Sequence, residues 1–437
     1  MKLQTLALAV MGLSVLLGCS SKNTIELPLN HYNGYGYLNY SLRGIPPYSN
    51  REDNPWKNTY LSVVGVPEGW MDVKCGDIET NIYQSVYQNH LSGHISDELY
   101  RKLQMSWDWL PDTLALSKVP LKTKIGFAFG RDSTGVMKVV VDANNNLDFS
   151  DDREFIPYVL PEGGAKTKDS VALSRTIAVS FERLVDGKKC MVNAPLFIAY
   201  MLKYNMFMCN FSQYSIAHFK GVDIAVCSDH FTSLSYHNPN IVVLPEDLKT
   251  GDKIDNEKLI AKNEFLDING TFYKNKGVSL NDNSLLLEKM DLPKSKLYST
   301  QMGCKAFLFQ GNDFKTGTKV SLKQFRGKYV LLDFWAVFCG PCRQEIPNLK
   351  KLYEMTDRAK FDIVGIVGDT SPDALEKMID KEAISWPQLL STDSTRIKEL
   401  FGIRGYPTTF LINPEGVIVA KDLRGKELED KVLALIK

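Results

Sequence analysis

The chain has 437 residues and is 44% hydrophobic, enough to bury more than one core, so about two or three domains are expected. Its 52 Lys and Arg nearly balance 51 Asp and Glu, which leaves no basic excess to hold a nucleic-acid backbone, and no nucleic-acid partner is expected. Eight cysteines over this length are too few for a disulfide scaffold.

Met1 and Lys2 form a short basic start, and residues 3–17 are almost wholly apolar. That run is too short to cross a bilayer and stay there, so it reads as an export signal. It ends Leu16-Leu17-Gly18-Cys19, which resembles the lipobox of bacterial lipoproteins. The resemblance implies that residues 1–18 are removed as a signal peptide and that the Cys19 thiol is lipidated, anchoring the mature chain. The alternative is an ordinary signal with an incidental cysteine. Ser20 rather than Asp after the cysteine implies, within that family, sorting to the outer membrane of the cell envelope, with the catalytic domain facing the periplasm. In such a space disulfides are permitted, and a C-x-x-C is redox-active in preference to zinc-binding.

Residues 19–55 are polar and rich in Asn, Tyr, Gly and Pro, the composition of a tether or irregular segment. Residues 56–290 are β-rich and mixed α+β, one or two domains of no recognised fold. Short β-branched runs at 60–66, 125–130, 136–141, 176–181, 196–202, 222–227, 240–244, 265–273 and 284–289 predict strands. One helix is expected from Ser96, an N-cap with Leu99, Leu103 and Trp107 along one face. Residues 291–303 lose the strand pattern and are expected to be a linker. From 304 to 437 strands alternate with helices, an α/β rhythm with a late hairpin at Asn413-Pro414-Glu415-Gly416.

Within this last part the continuous apolar run 329–335 predicts a buried strand, followed by Cys339-Gly340-Pro341-Cys342 and an amphipathic pattern. Two cysteines so spaced at a strand-to-helix junction can form a tight reversible disulfide. The helix N-terminus would lower the pKa of the Cys339 thiol. Cys339, nearest the mouth, is then the nucleophile and Cys342, one turn into the helix, the resolving thiol. Two acids are candidates for taking the Cys342 proton. Glu345 lies three residues on, near the same helix face. Asp333 lies on the apolar strand, where an unpaired acid would have a raised pKa unless it turns to solvent. The balance here tips slightly to Glu345.

Residues 304–437 resemble the thioredoxin-like thiol-disulfide oxidoreductases of the TlpA/ResA branch. The resemblance rests on the strand into Cys339-Gly340-Pro341-Cys342, then Glu345 and Pro347, and on Phe401-Gly402-Ile403-Arg404-Gly405-Tyr406-Pro407 further on. It implies an α/β thioredoxin-like domain that reduces client protein disulfides, drawing electrons from a membrane thiol-disulfide donor and needing no cofactor beyond its own cysteines. It also implies that Pro407 is cis and lies against the cysteine pair, with Tyr406 offering its backbone to the client. Phe338 and Trp335 are counted with them as client-binding. Most relatives carry Trp before the first cysteine, whereas this chain has Phe338. A peroxiredoxin would need Thr at position 336, which is Ala. A function from another class is a partner- or glycan-binding lipoprotein whose thioredoxin-like domain is a docking module.

Two further features stand apart from that resemblance. Asp142, Asn144, Asn146 and Asp148 alternate as calcium-loop ligands do, but Leu147 replaces the expected Gly and no Glu stands at the twelfth position, so an Asx-rich turn capping a hairpin is the preferred reading over calcium. Cys75, Cys190, Cys209, Cys227 and Cys304 are an odd set, with Cys209–Cys227 the first pairing to expect.

Overall fold

A computed structural model describes residues 23–107, 109–111, 116–162, 167–249 and 251–437. Cys19 and the apolar run before it lie outside the described residues. Among the described residues no helix is long and apolar enough to cross a membrane.

The N-terminal region is built from antiparallel sheets. In one, Thr24–Pro28 pairs with Ser284–Lys289, followed by Thr271–Ser279 and Phe265–Ile268. Its core is shared with the sheet formed by Asn30–Asn33, Gln213–Phe219, Val222–Ser228 and Pro239–Val243, through Leu27, Ile224, Val226, Leu266 and Leu285. A second core joins the long strand Lys188–Met201 and its neighbours to the sheet of Met71–Glu79, Lys124–Arg131 and Met137–Val141. The helix expected from Ser96 is present as Asp97–Ser106, and the Ser96 hydroxyl accepts the Leu99 N–H.

Several expectations are corrected here. Residues 23–55 are not a tether, because Leu27, Tyr35 and Leu38 are buried and three of the segments are sheet strands. Their partners lie up to 264 residues away, as for Thr24 and Glu288, so no local pattern announces them. The stretch 60–66 makes only an isolated bridge, Val64 to Asp148. The run 265–273 is two strands, since Asn269 and Gly270 both take positive φ (54° and 77°) and turn the chain into a hairpin. The expected linker is docked: Leu297 and Ser299 are buried, and the Gly303 N–H donates to the Ile418 carbonyl at 2.8 Å. Cys209 and Cys227 are free and buried in different cores, on strands of different sheets, so they do not pair.

The C-terminal domain has a five-stranded sheet ordered β3-β2-β1-β4-β5. Its elements are β1 (Tyr329–Trp335), α1 (Gly340–Met355), β2 (Phe361–Val367), α2 (Pro372–Glu382), β3 (Gln388–Leu390), β4 (Thr408–Ile412), β5 (Ile418–Lys421) and α3 (Gly425–Leu435). β1 is central, parallel to β2 and antiparallel to β4, which is why its sequence is apolar on both faces. The two faces separate by the strand period of two. Val330, Leu332 and Phe334 enter one core with Phe401 and Phe410. Leu331 and Trp335 enter the other, beneath Cys342, Ile346 and Leu349 of α1 and Leu428 and Val432 of α3. Asp333 shares the parity of Leu331 and Trp335, so the pleat aims an acid at the layer carrying the cysteines.

Candidate active site

β1 ends at Trp335, and three residues later the chain enters α1 with Cys339 as its N-cap. Cys339 and Cys342 form a disulfide with Cα atoms 5.3 Å apart. Both are nearly buried, at 6% and 4% exposure. The Cys342 N–H points at Cys339 Sγ at 3.1 Å, one of the donors a helix start leaves without an intrahelical partner. That donor and the helix dipole favour negative charge on Cys339 once the disulfide opens.

Around the disulfide lies a cavity of about 460 Å³ lined by Phe338, Cys339, Pro341, Asp369, Arg404 and Tyr406. Phe338 is 67% exposed and meets the Tyr406 ring edge-on, with centroids 6.4 Å apart. The Tyr406–Pro407 peptide is cis, as the resemblance implies. The Tyr406 hydroxyl donates to Asp369 at 2.9 Å, and Lys398 Nζ donates to the other carboxylate oxygen at 2.7 Å. The Lys398 bond holds the Asp369 carboxyl below its usual range. Burial first, then Asp369, pushes the Tyr406 phenol well up, so it stays a neutral donor. A larger cavity of about 980 Å³ lies in the N-terminal region beside Tyr40, Met201 and Lys253, but no cysteine lines it.

The two candidate acids differ in setting. Asp333 is 7% exposed, and burial pushes its pKa up to about 7. The negative charge of Glu345 adds to that rise, and Arg424 opposes it. Glu345 is half-buried, and its carboxylate is occupied. Oε1 accepts the Gly425 N–H at 2.6 Å and Oε2 the Asn348 side-chain amide at 3.1 Å. The slight preference for Glu345 therefore reverses: the desolvated acid is Asp333, because α1 and α3 close over that face of β1.

Trp335 is not part of the client-facing surface. It is 2% exposed, and its indole N–H donates to Gln388 Oε1 at 2.9 Å under the helices. Asp369, Lys398, Arg404 and Arg424 were not foreseen. They come from the loops after β2 and after β5 and from the segment before β4, where Lys398 sits in the short helix Ile397–Leu400, and only the folded sheet brings these together.

The loop of Asp142, Asn144, Asn146 and Asp148 is a stack of Asx turns. Asp142 accepts the N–H groups of Asn146 and Leu147, Asn146 that of Asp148, and Asp148 that of Ser150, all at 2.8–2.9 Å. These oxygens serve the backbone as in an Asx-rich turn, and among the described residues no cluster of three or more His, Cys, Asp or Glu side chains is placed to hold a metal.

The pattern that defines the AhpC/TSA family matches residues 302–421. Thioredoxin-like protein YneN of Bacillus subtilis is 36% identical over 125 residues, covering 27% of this chain and 71% of that protein. The thiol-disulfide oxidoreductase ResA of Halalkalibacterium halodurans is 29% identical over 123 residues, or 28% of this chain and 69% of ResA. Among solved structures, the thioredoxin domain of a thiol-disulfide oxidoreductase from Bacteroides vulgatus is 37% identical, covering 31% of this chain and 99% of that one, with a TM-score of 0.30. The family match lies within the C-terminal part of the chain, and each of these relatives covers less than a third of it. With a cysteine pair capping α1 and a cis Tyr406–Pro407 bond in the loop before β4, the identity to YneN and ResA places the chain, through its last third, among the thioredoxin-like thiol-disulfide oxidoreductases of the TlpA/ResA type.

Proposed function

We propose that this protein reduces disulfides of client proteins in the bacterial cell envelope, held to a membrane, the outer one by its sorting residue, through a lipidated Cys19. The observation that carries the reading is the Cys339–Cys342 pair, set between the groove of Phe338 and Tyr406 and a buried acid. In the dithiol form, the Cys339 thiolate attacks one sulfur of a client disulfide. The other client sulfur leaves as a thiolate and takes up a proton. Cys342 then gives its proton to the Asp333 carboxylate, and its sulfur attacks Cys339, expelling the second client thiolate. Two electrons pass from the cysteine pair to the client, and a membrane thiol-disulfide donor returns them. The exposed Phe338 and the backbone beside Pro407 would take an extended client segment across the disulfide.

Cys342→Ser tests this directly. The variant is expected to stop at the mixed disulfide, giving a higher-mass species on non-reducing gels that dithiothreitol dissolves. Capture that persists when both cysteines are Ser would instead favour a binding protein acting through its N-terminal sheets. Cys19→Ala is expected to move the protein from the membrane fraction to the soluble envelope fraction. Unchanged partition would contradict the lipid anchor.

A further inference from the structure

The short corner between β5 and α3, residues 422–425, touches both halves of the site. Arg424 Nη2 donates to the Pro407 carbonyl at 2.8 Å. The next residue, Gly425, gives its N–H to Glu345 Oε1 at 2.6 Å. Two more bonds tie the corner to β4: the Thr409 N–H donates to Asp422 Oδ1 at 3.3 Å and the Thr409 hydroxyl to the Leu423 carbonyl at 3.2 Å. Thr409 is also the register partner of Asp333 across the sheet. One corner thus holds the carbonyl of the cis proline, the helix acid Glu345, and the strand partner of the buried acid.

We propose that Arg424 is a positioning residue for thiol exchange, its guanidinium fixing the Pro407 loop while its charge keeps the Asp333 carboxylate available as a base for Cys342. The assignment rests on the reductase reading above. Arg424 is itself exposed, and the field of its guanidinium reaches a buried group. The charged groups acting on Asp333 are few. Glu345 on α1 disfavours the carboxylate and Arg424 at the start of α3 favours it. The flanking strands put Gly365 and Thr409 opposite it, neither of which is charged. The cysteines above it carry no charge in the disulfide form. Arg424 is therefore the cation that offsets part of the rise that burial and Glu345 impose on Asp333.

The sign follows. Without the guanidinium, Asp333 holds its proton to higher pH, and the step in which it must accept one from Cys342 needs a more alkaline medium. The test is the pH profile of insulin reduction by the full chain, from mildly acid to alkaline pH. Arg424→Met is expected to move the inflection up by about half a pH unit. Arg424→Lys, which keeps the charge, is expected to recover most of that shift. In an Asp333→Asn background, Arg424→Met is expected to move nothing, since the group it acts on is gone. A merely structural role would lower the rate at every pH without moving the inflection. An active wild type whose profile is unmoved by Arg424→Met overturns the proposal, as does a shift that persists undiminished in the Asp333→Asn background. A wild type whose activity does not depend on Cys339 overturns the reductase reading beneath it, and this proposal with it.

Discussion

Replacing Asp333 with Asn is expected to stabilise the oxidised protein at and above neutral pH while slowing disulfide reduction. The buried carboxyl has its pKa pushed up to about 7 from 3.8. Between those values the folded chain binds a proton that the unfolded chain does not, so stability falls as pH rises through that window and stays reduced above it. At about 1.4 kcal/mol per pH unit, the full penalty approaches about 4 kcal/mol. An asparagine amide buried there would lose part of the gain for want of partners, about 1–3 kcal/mol. The net expectation is a gain of about 1–3 kcal/mol at pH 8.5 and a smaller or reversed difference near pH 4. Urea unfolding of both proteins at the two pH values measures it. A difference that does not change with pH would mean that Asp333 does not titrate between them. The slower reduction has the same origin: the group that makes the fold less stable is the one able to take a proton from Cys342.

Cys339→Ser is expected to lower the rate of insulin reduction by roughly three orders of magnitude, to that of the reductant alone, with little change in fold. The loss is large because the serine hydroxyl remains un-ionised where the thiol, capped by the Cys342 N–H at the start of α1, ionises. No other described cysteine can stand in. Cys209, Cys227 and Cys304 are buried, and burial raises the pKa of each of these thiols. Cys75 and Cys190 are partly exposed but sit on strands of the N-terminal sheets. Full activity in Cys339→Ser would remove this cysteine pair from the chemistry. Side by side with Cys342→Ser, the measurement also separates attack from resolution, since only the latter variant should accumulate a mixed disulfide.

Features that depend on near neighbours were legible in the chain itself. The apolar run of β1, the cysteine pair at the start of α1, the Ser96 cap and the turn at residues 413–416 are each written within a few residues, and each appears where expected. The cis bond before Pro407 was legible too, though only through the resemblance, not from its own surroundings. Matters that turn on burial and on distance through space emerged only on folding. The fold buried Trp335 and separated Cys209 from Cys227. It drew residues 23–55 into sheets whose other strands come from the far end of the N-terminal region. It also chose between the two acids. Desolvation is a property of the layers stacked over a residue, not of the residues beside it. α1 and α3 close over the face of β1 that carries Asp333, while Glu345 is left at the edge to receive the Gly425 N–H. Arg424 follows the same logic. It lies 17 residues from Pro407 along the chain and 2.8 Å from its carbonyl in space, because β4 and β5 fold back on each other.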